Sequence, residues 1–359
     1  MRKSVVIAIA AAAFALLAAA QAGAATWFVA AGEQARPPAG TPKGSTLNQF
    51  LPSKLAVNAG DKVTFSSASF HTVTYLGKQR PPGLQIPDPA KSTYESVMDA
   101  AGESFYFNGL AKLVYNGLVF GPSGGTTVTG TNFVNSGVLA PGGPKQKFAT
   151  ITFTFPKAGS YRLICAVHPG MKSDVAVKAA GTKVPLSPTQ VKAKILTEQA
   201  AGWTAAKKLA ASAKPAANTV YQGVGGLVAI LAYFPSTIKV KAGTTINFPN
   251  RSPTEVHNVA FGPRKWIDAF QKKNDLFPMG PGGKNQVTPF FPYGSEAKGK
   301  YVYDGANHGN GFLATPLTAG SPLVPLPKAS KVTFTKAGTF KYFCLIHGVD
   351  MSGTVIVTP

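Results

Sequence analysis

Acidic residues are scarce in this chain of 359 residues, where 14 Asp and Glu stand against 36 Lys and Arg. The formal net charge is +22 at pH 7. Such a positive field favours anionic partners, such as acidic protein surfaces or the anionic head groups and polymers of a cell envelope. The lysines are scattered and form no dense basic run with interleaved aromatic residues, so the sequence does not indicate nucleic-acid binding. The charge is interpreted as a solvated cationic surface.

Long apolar runs are lacking after the N-terminus. The run from Val5 to Ala20 follows the basic residues Arg2 and Lys3, and an A-x-A pattern at 22–24 comes after it. This order is typical of a secretory signal peptide, which we predict over residues 1–24. A retained membrane anchor is the alternative, but the run is short for a bilayer span. The sequence therefore predicts export, to the periplasm or the extracellular space.

Cysteine and histidine are also rare, with two cysteines and five histidines. Two cysteines in an exported chain can form a disulfide, so a bond between Cys165 and Cys344 is one interpretation. Charged residues make up only 14%, while 38 glycines and 29 prolines favour turn-rich β structure.

The chain contains an internal repeat. FLPSKLAVNAGDKVTF at Phe50–Phe65 matches YFPSTIKVKAGTTINF at Tyr233–Phe248, and FPKAGSYRLICAVH at Phe155–His168 matches FTKAGTFKYFCLIH at Phe334–His347. Apolar residues alternate within both copies, which predicts strands of an antiparallel sandwich with one buried face per sheet. The intervening stretches, about 79–147 and 262–325, are interpreted as loops with short added strands.

A different pattern separates the copies. Ser187 and Pro188 form a helix start, and an apolar stripe follows at roughly helical spacing. The stripe predicts a helix over about 188–213 and comprises Val191, Ile195, Leu196, Trp203 and Leu209. We therefore predict domains over residues 25–180 and 219–359, with a helical linker over 181–218.

Potential metal ligands recur in both copies. Each cysteine is followed three residues later by a histidine and then by a methionine, and each copy has a further histidine after its Phe65 or Phe248 strand. The predicted ligands are His71, Cys165, His168 and Met171 in the first copy and His257, Cys344, His347 and Met351 in the second. One thiolate, two imidazoles and a weak thioether suit copper in both oxidation states. Because each cysteine belongs to its own copy, two metal sites are favoured over a disulfide.

These clusters resemble those of the plastocyanin–azurin family of blue-copper proteins, the cupredoxins. The resemblance implies an all-β fold of two tandem Greek-key β-sandwich domains, each with a type 1 copper site. His257-Asn258 resembles the family's His-Asn element, in which the asparagine braces the cysteine loop. Thr72 follows His71 instead, which predicts a softer surrounding for the first site. The resemblance also implies that His168 and His347 pass electrons through an apolar surface.

The favoured function is an exported electron carrier rather than an enzyme, with redox proteins that have acidic docking surfaces as partners. Peripheral contact with an anionic envelope is a further expectation. Copper storage or delivery is the alternative, which the ligands alone do not exclude. A multicopper oxidase or nitrite reductase is disfavoured because the chain has no His-x-His pair and only His308 is spare. His308 itself is interpreted as a surface loop residue.

Overall fold

The computed structural model describes residues 24–141, 146–274, 276, 285–297, 299 and 301–359. The predicted signal peptide lies outside the described residues, apart from Ala24. Among the helices of the described part, none has both the length and the apolar character to cross a membrane.

The first half of the chain forms two facing sheets. Their strand orders are β11-β5-β1-β3 and β4-β13-β12-β6-β10-β9, and β7 pairs with β8. The short helix α1 is Gly117–Phe120. The strands are β1 (Thr26–Ala31), β2 (Ser45–Leu47), β3 (Phe50–Leu51), β4 (Lys54–Asn58), β5 (Lys62–Ser67), β6 (Thr74–Tyr75), β7 (Gln85–Pro87), β8 (Leu113–Tyr115), β9 (Pro122–Ser123), β10 (Val134–Ser136), β11 (Ala149–Thr154), β12 (Gly159–Ile164) and β13 (Lys172–Lys178).

The second half begins with the long helix α2 (Pro188–Ser212) and contains α3 (Arg264–Lys273) and a 3-10 turn at Asn307–Gly309. Its strands are β14 (Tyr221–Gly225), β15 (Val228–Phe234), β16 (Thr237–Lys241), β17 (Thr245–Arg251), β18 (Val256–His257), β19 (Ala260–Phe261), β20 (Val302–Tyr303), β21 (Leu313–Ala314), β22 (Thr318–Ala319), β23 (Ala329–Phe334), β24 (Gly338–Cys344) and β25 (Gly348–Thr358).

The two halves repeat one strand order. The series β11-β5-β1-β3 corresponds to β23-β17-β14-β15, and β4-β13-β12-β6-β10 corresponds to β16-β25-β24-β19-β21. The predicted all-β sandwich class is confirmed. The pairing is not purely antiparallel, because β1 runs parallel to β5 and β4 runs parallel to β13. A strand that returns from the opposite sheet can enter beside a strand of the same direction, and alternation in the sequence does not reveal this.

Each sandwich encloses its own core. Phe65 and Phe153 lie fully buried in the first, and Phe248 and Phe334 lie fully buried in the second. Burial of each such ring contributes about 1.5–3 kcal/mol to folding. The cysteines predicted as ligands belong to these same cores, so their positions are fixed by close packing.

The halves are joined by more than the chain. Strand β2 of the first half pairs antiparallel with β15 and so extends a sheet of the second half. Helix α2 lies across this junction and packs against β1, β2, β3, β14 and β15. Its predicted start is present as a capping box between Ser187 and Gln190. Leu196 was wrongly assigned to the buried stripe, because it is 60% exposed. Gln199, Gly202 and Ala206 complete the buried face instead. The division of the chain into 25–180, 181–218 and 219–359 stays a prediction.

The long inserted stretches build a third aromatic cluster. Phe105 and Phe107 of the first insert stack against each other and contact Phe290 of the second insert, at ring-centre distances of 5.0, 5.4 and 5.7 Å. Phe270 of α3 contacts the same group. The short added strands that were expected in these stretches are present as β7–β10 and β20–β22. Helix α3 and a core shared between the two halves were missed.

His308 belongs to this contact between the two inserts and is not a free surface residue. Its Nδ1 lies 2.9 Å from Asp99 of the first insert and its Nε2 lies 2.8 Å from Glu296 of the second half. The ring also packs on Phe105 at 4.6 Å. Burial would lower the pKa of His308, but the carboxylates of Glu296 and Asp99 outweigh it and raise that pKa above 6.5. The pKa of Asp99 is held below 3.8: burial would raise it, but His308 lowers it further.

We predict that His308→Asn destabilises the fold by roughly 1–3 kcal/mol in a pH-dependent way. Asparagine suits the backbone because His308 has φ of 54°. The raised pKa of His308 gives stability that is present below 6.5 and lost as pH rises through the folded value. The lowered pKa of Asp99 gives stability that is present above 3.8 and lost on acidification. The free energies of unfolding of wild type and variant, measured with denaturant, should therefore differ most at pH values above the Asp99 limit and below the His308 limit. A difference that does not depend on pH would contradict the assignment.

Candidate metal centres

The first candidate centre lies where three segments of the first sandwich end. His71 follows β5 and exchanges backbone hydrogen bonds with Leu139. Cys165 directly follows β12, and His168 lies in the turn before β13. The Nδ1 atoms of His71 and His168 are 3.0 Å apart, and the Cys165 Sγ lies 3.9 and 3.4 Å from them. All three residues are buried.

The second centre repeats this arrangement. His257 ends β18, Cys344 ends β24 and His347 lies in the turn before β25. The Nδ1 atoms of His257 and His347 are 3.1 Å apart, and the Cys344 Sγ lies 3.4 Å from Nδ1 of His347. In both groups the three ligand atoms lie within 4.8 Å of one another.

The predicted methionines lie beside these groups. Met171 and Met351 are each 1% exposed and belong to the same cores as Cys165 and Cys344. The Cys165 backbone N–H donates to the Met171 carbonyl at 3.0 Å, which closes the first loop tightly. Axial ligation by the two thioethers stays a prediction.

Both cysteine loops are braced by the residue that follows the upstream histidine. Asn258 Oδ1 accepts a hydrogen bond of 2.9 Å from the backbone N–H of Leu345, as the family resemblance predicted. In the first centre the Thr72 hydroxyl accepts the corresponding bond from Ala166 at 2.7 Å, and the Thr72 backbone N–H reaches the Cys165 sulfur at 3.3 Å. The prediction of a softer first site is therefore wrong, because the shorter threonine makes the same brace.

A glycine stands behind each upstream histidine. The buried Nε2 atoms of His71 and His257 have no hydrogen-bond partner within the described residues. A Cβ atom on Gly32 would lie 2.4 Å from Nε2 of His71, and one on Gly223 would lie 2.5 Å from Nε2 of His257. Each imidazole is thus pressed against backbone with its Nδ1 directed at the cysteine.

The three donor atoms of each group fit a copper ion. Two nitrogens about 3 Å apart can both bind one ion at the usual metal–imidazole length of about 2 Å. Burial alone would raise the pKa of Cys165 and of Cys344, but the neighbouring imidazoles outweigh it and hold both pKa values well below their ordinary value. The thiolate, which is the form that binds metal, is therefore favoured in both groups.

The expectation that the loop histidines reach an outer surface is wrong for His168, which is buried, whereas His347 is half-buried. His168 is 8% exposed, and its Nε2 lies 3.3 Å from Oε1 of Glu255. Nε2 of His347 lies 3.5 Å from Oε2 of the same carboxylate. Burial would lower the pKa of both histidines, but Glu255 and the cysteines raise it, to about 9 for His168 and about 10 for His347. The two centres therefore face each other across the junction of the two halves.

The disulfide interpretation does not agree with the structure. Cys165 and Cys344 are both free and buried, and each sulfur contacts the histidine three residues downstream. Each sulfur is engaged by a histidine of its own half, although the two centres face each other.

Sequence reasoning missed Glu255, Gly32 and Gly223. A signal for the glycines existed, since Gly32 directly follows β1 and Gly223 lies within β14, the corresponding strand of the second half. Glu255 has no counterpart to reveal it, because Ser69 stands at the corresponding place, two residues before His71.

We predict that Gly32→Ala weakens copper binding at the first centre about tenfold or more and leaves the second unchanged. The added methyl would overlap His71, and overpacking of this kind costs roughly 1–3 kcal/mol. Gly223→Ala should show the reverse pattern through His257. Competition titration with a copper chelator measures both affinities.

Gly60→Ala and Gly243→Ala are the matched controls. Both glycines have positive φ, of 89° and 86°, but a Cβ at either would meet no atom within 4 Å. They share the backbone strain of the test variants without the overlap. Equal losses of copper affinity in test and control variants would refute the role assigned to Gly32 and Gly223.

The second half of the chain matches a family of known proteins. Residues 222–358 match the family described as copper binding proteins, plastocyanin/azurin family. No curated protein matches the chain. Among solved structures, a mutant amicyanin in its Cu(I) form is 23% identical, with coverage of 42% of this chain and 90% of that chain and a TM-score of 0.21. A mutant plastocyanin of fern is 18% identical, with coverage of 39% and 99% and a TM-score of 0.21. The family match lies in the second half of the chain, and the first half repeats the same group of one cysteine and two histidines.

Proposed function

We propose that this protein is an exported electron carrier with one type 1 copper site in each half. The observation that carries the proposal is the repeated group of one cysteine and two histidines, whose donor atoms converge within 4.8 Å in both halves. All of these residues are buried except His347, which is half-buried. Bound copper would supply a one-electron couple between Cu(I) and Cu(II).

The ligands are held in a manner suited to electron transfer. The ends of packed strands fix each group, and Asn258 or Thr72 ties the cysteine loop to the segment of the upstream histidine. Gly32 and Gly223 leave the upstream imidazoles no room to turn. Ligands that cannot move do not rearrange when the charge of the centre changes by one, which keeps the barrier to transfer low.

Export and partner choice follow from the sequence. The predicted signal peptide directs the chain to the periplasm or the extracellular space. The strongly positive net charge, which remains once Arg2 and Lys3 leave with the predicted signal peptide, would steer redox proteins with acidic docking surfaces into contact. It would also favour peripheral contact with an anionic envelope. Such encounters weaken as salt screens the charges.

Copper-loaded protein is expected to bind two ions per chain and to show the intense blue colour of thiolate-to-Cu(II) charge transfer. Cys165→Ala and Cys344→Ala should each remove one ion and leave the other centre spectroscopically intact. Metal analysis with absorption and EPR spectroscopy measures all three proteins. His308→Asn is the control and should retain two ions, because His308 contacts Asp99 and Glu296 instead. A colourless protein loaded with Cu(II) would end the proposal.

Copper storage or delivery is the second candidate, and one observation favours it. The loop histidines are covered by the junction of the two halves, which limits direct access of a partner to His168 and His347. Fast, reversible reduction at an electrode together with slow loss of copper to a chelator supports the carrier. Ready hand-over of copper to the chelator with sluggish electrode response supports storage.

An oxidase or nitrite reductase would need further histidine ligands. Four of the five histidines belong to the two centres, and the fifth, His308, is engaged by two carboxylates. The proposal therefore assigns the chain to electron carriers. Turnover of nitrite or phenols by the purified protein would count against it.

A further inference from the structure

One carboxylate touches both candidate centres. Oε1 of Glu255 lies 3.3 Å from Nε2 of His168, and Oε2 lies 3.5 Å from Nε2 of His347. These nitrogens belong to the rings whose Nδ1 atoms face Cys165 and Cys344. A continuous route of ring, carboxylate and ring thus joins the two ligand groups.

Glu255 is held firmly in this position. It is 8% exposed, and the side-chain amide of Asn48 donates to its Oε1 at 2.7 Å. Asn48 lies between β2 and β3 of the first half and is 1% exposed. The same amide donates to Thr254 at 3.0 Å, and the Asn250 amide donates to the Glu255 carbonyl at 3.1 Å. Residues from both halves therefore fix the carboxylate.

The duplication is broken at this position. Ser69 occupies the corresponding place in the first copy, so a single carboxylate from the second half serves both loop histidines. A buried carboxylate costs several kcal/mol of desolvation, and apolar residues of similar size would close an interface at less cost. The placement of one of only 14 acidic residues between two imidazoles therefore points to a role beyond joining the halves.

We propose that Glu255 is a positioning residue shared by both centres, and that it makes them one relay in which an electron passes internally along His168, Glu255 and His347. The proposal rests on the proposed function, because it requires both centres to hold copper. One centre loses one electron as the other gains it, so the exchange needs no further oxidant, reductant or proton. An electron received at one half can then leave from the other.

Glu255→Gln is the main test, since it keeps the shape of the side chain and removes its charge. A negative charge near each centre stabilises the oxidised form, so both reduction potentials are expected to rise in the variant. Internal electron exchange after flash reduction is expected to slow, because the amide offers only one acceptor oxygen to two imidazoles. Cys165→Ala and Cys344→Ala, which each leave one centre, assign the potentials to the halves.

Glu296→Gln is the matched control, because Glu296 also contacts a histidine Nε2 but that histidine is His308. It should leave both potentials and the exchange rate unchanged. A shift at one centre alone, no shift at either, or an unchanged exchange rate in Glu255→Gln overturns the proposal.

A second variant and a measurement on metal-free protein keep the proposal testable if Glu255→Gln does not fold or does not bind copper. Asn48→Ala keeps the charge of Glu255 but removes the hydrogen bond that holds its Oε1. Because the carboxylate is then held less firmly, internal electron exchange should slow while both reduction potentials stay nearly constant. In metal-free protein, Glu255→Gln should shift the Nε2 nitrogen resonances of both His168 and His347. If wild type binds no copper, the proposed function fails while this measurement still tests the shared contact; resonances that do not move overturn the contact itself.

Discussion

Burial of a cysteine thiolate is the constraint on which the rest of the structure depends. A lone buried anion would cost several kcal/mol, so the sulfur must have cationic or metal partners at short range. Two imidazoles meet this need in each half, with the sulfur of Cys165 and Cys344 3.4 Å from a ring nitrogen. The ring nitrogens of each group lie closer together than they would without support, so each group needs a rigid frame. It lies at the end of a closely packed sandwich, where neighbouring residues hold the ligands in place.

The junction of the halves brings the two centres together. Strand β2 of the first half pairs with β15 of the second half, and α2 packs against strands of both halves. The aromatic residues of the two inserts form one shared cluster. These contacts leave little freedom for the halves to separate. They also bury His168, which contacts Glu255 of the second half.

Much of the fold and of the ligand set was accessible from sequence because the relevant signals are local or repeated. Alternation predicted the core strands, and a proline after Ser187 predicted the helix start that the structure contains. The spacing of cysteine and histidine predicted the two donor groups, which the structure brings together. Leu196 was misassigned because helical spacing defines a stripe but not the surface that the stripe meets. Helix α3 and the insert cluster were missed because their partners lie far away in the chain.

The sequence by itself determined the chemistry of this protein: a duplicated module, two thiolate–imidazole groups and a strongly positive charge, all properties of residue type and spacing. Only the tertiary structure decided how the modules face each other. The role of Glu255 depends on His168, His347 and Asn48, which come from separate segments of the chain. No periodicity or spacing encodes such a meeting, since it arises from packing of two completed sandwiches against each other.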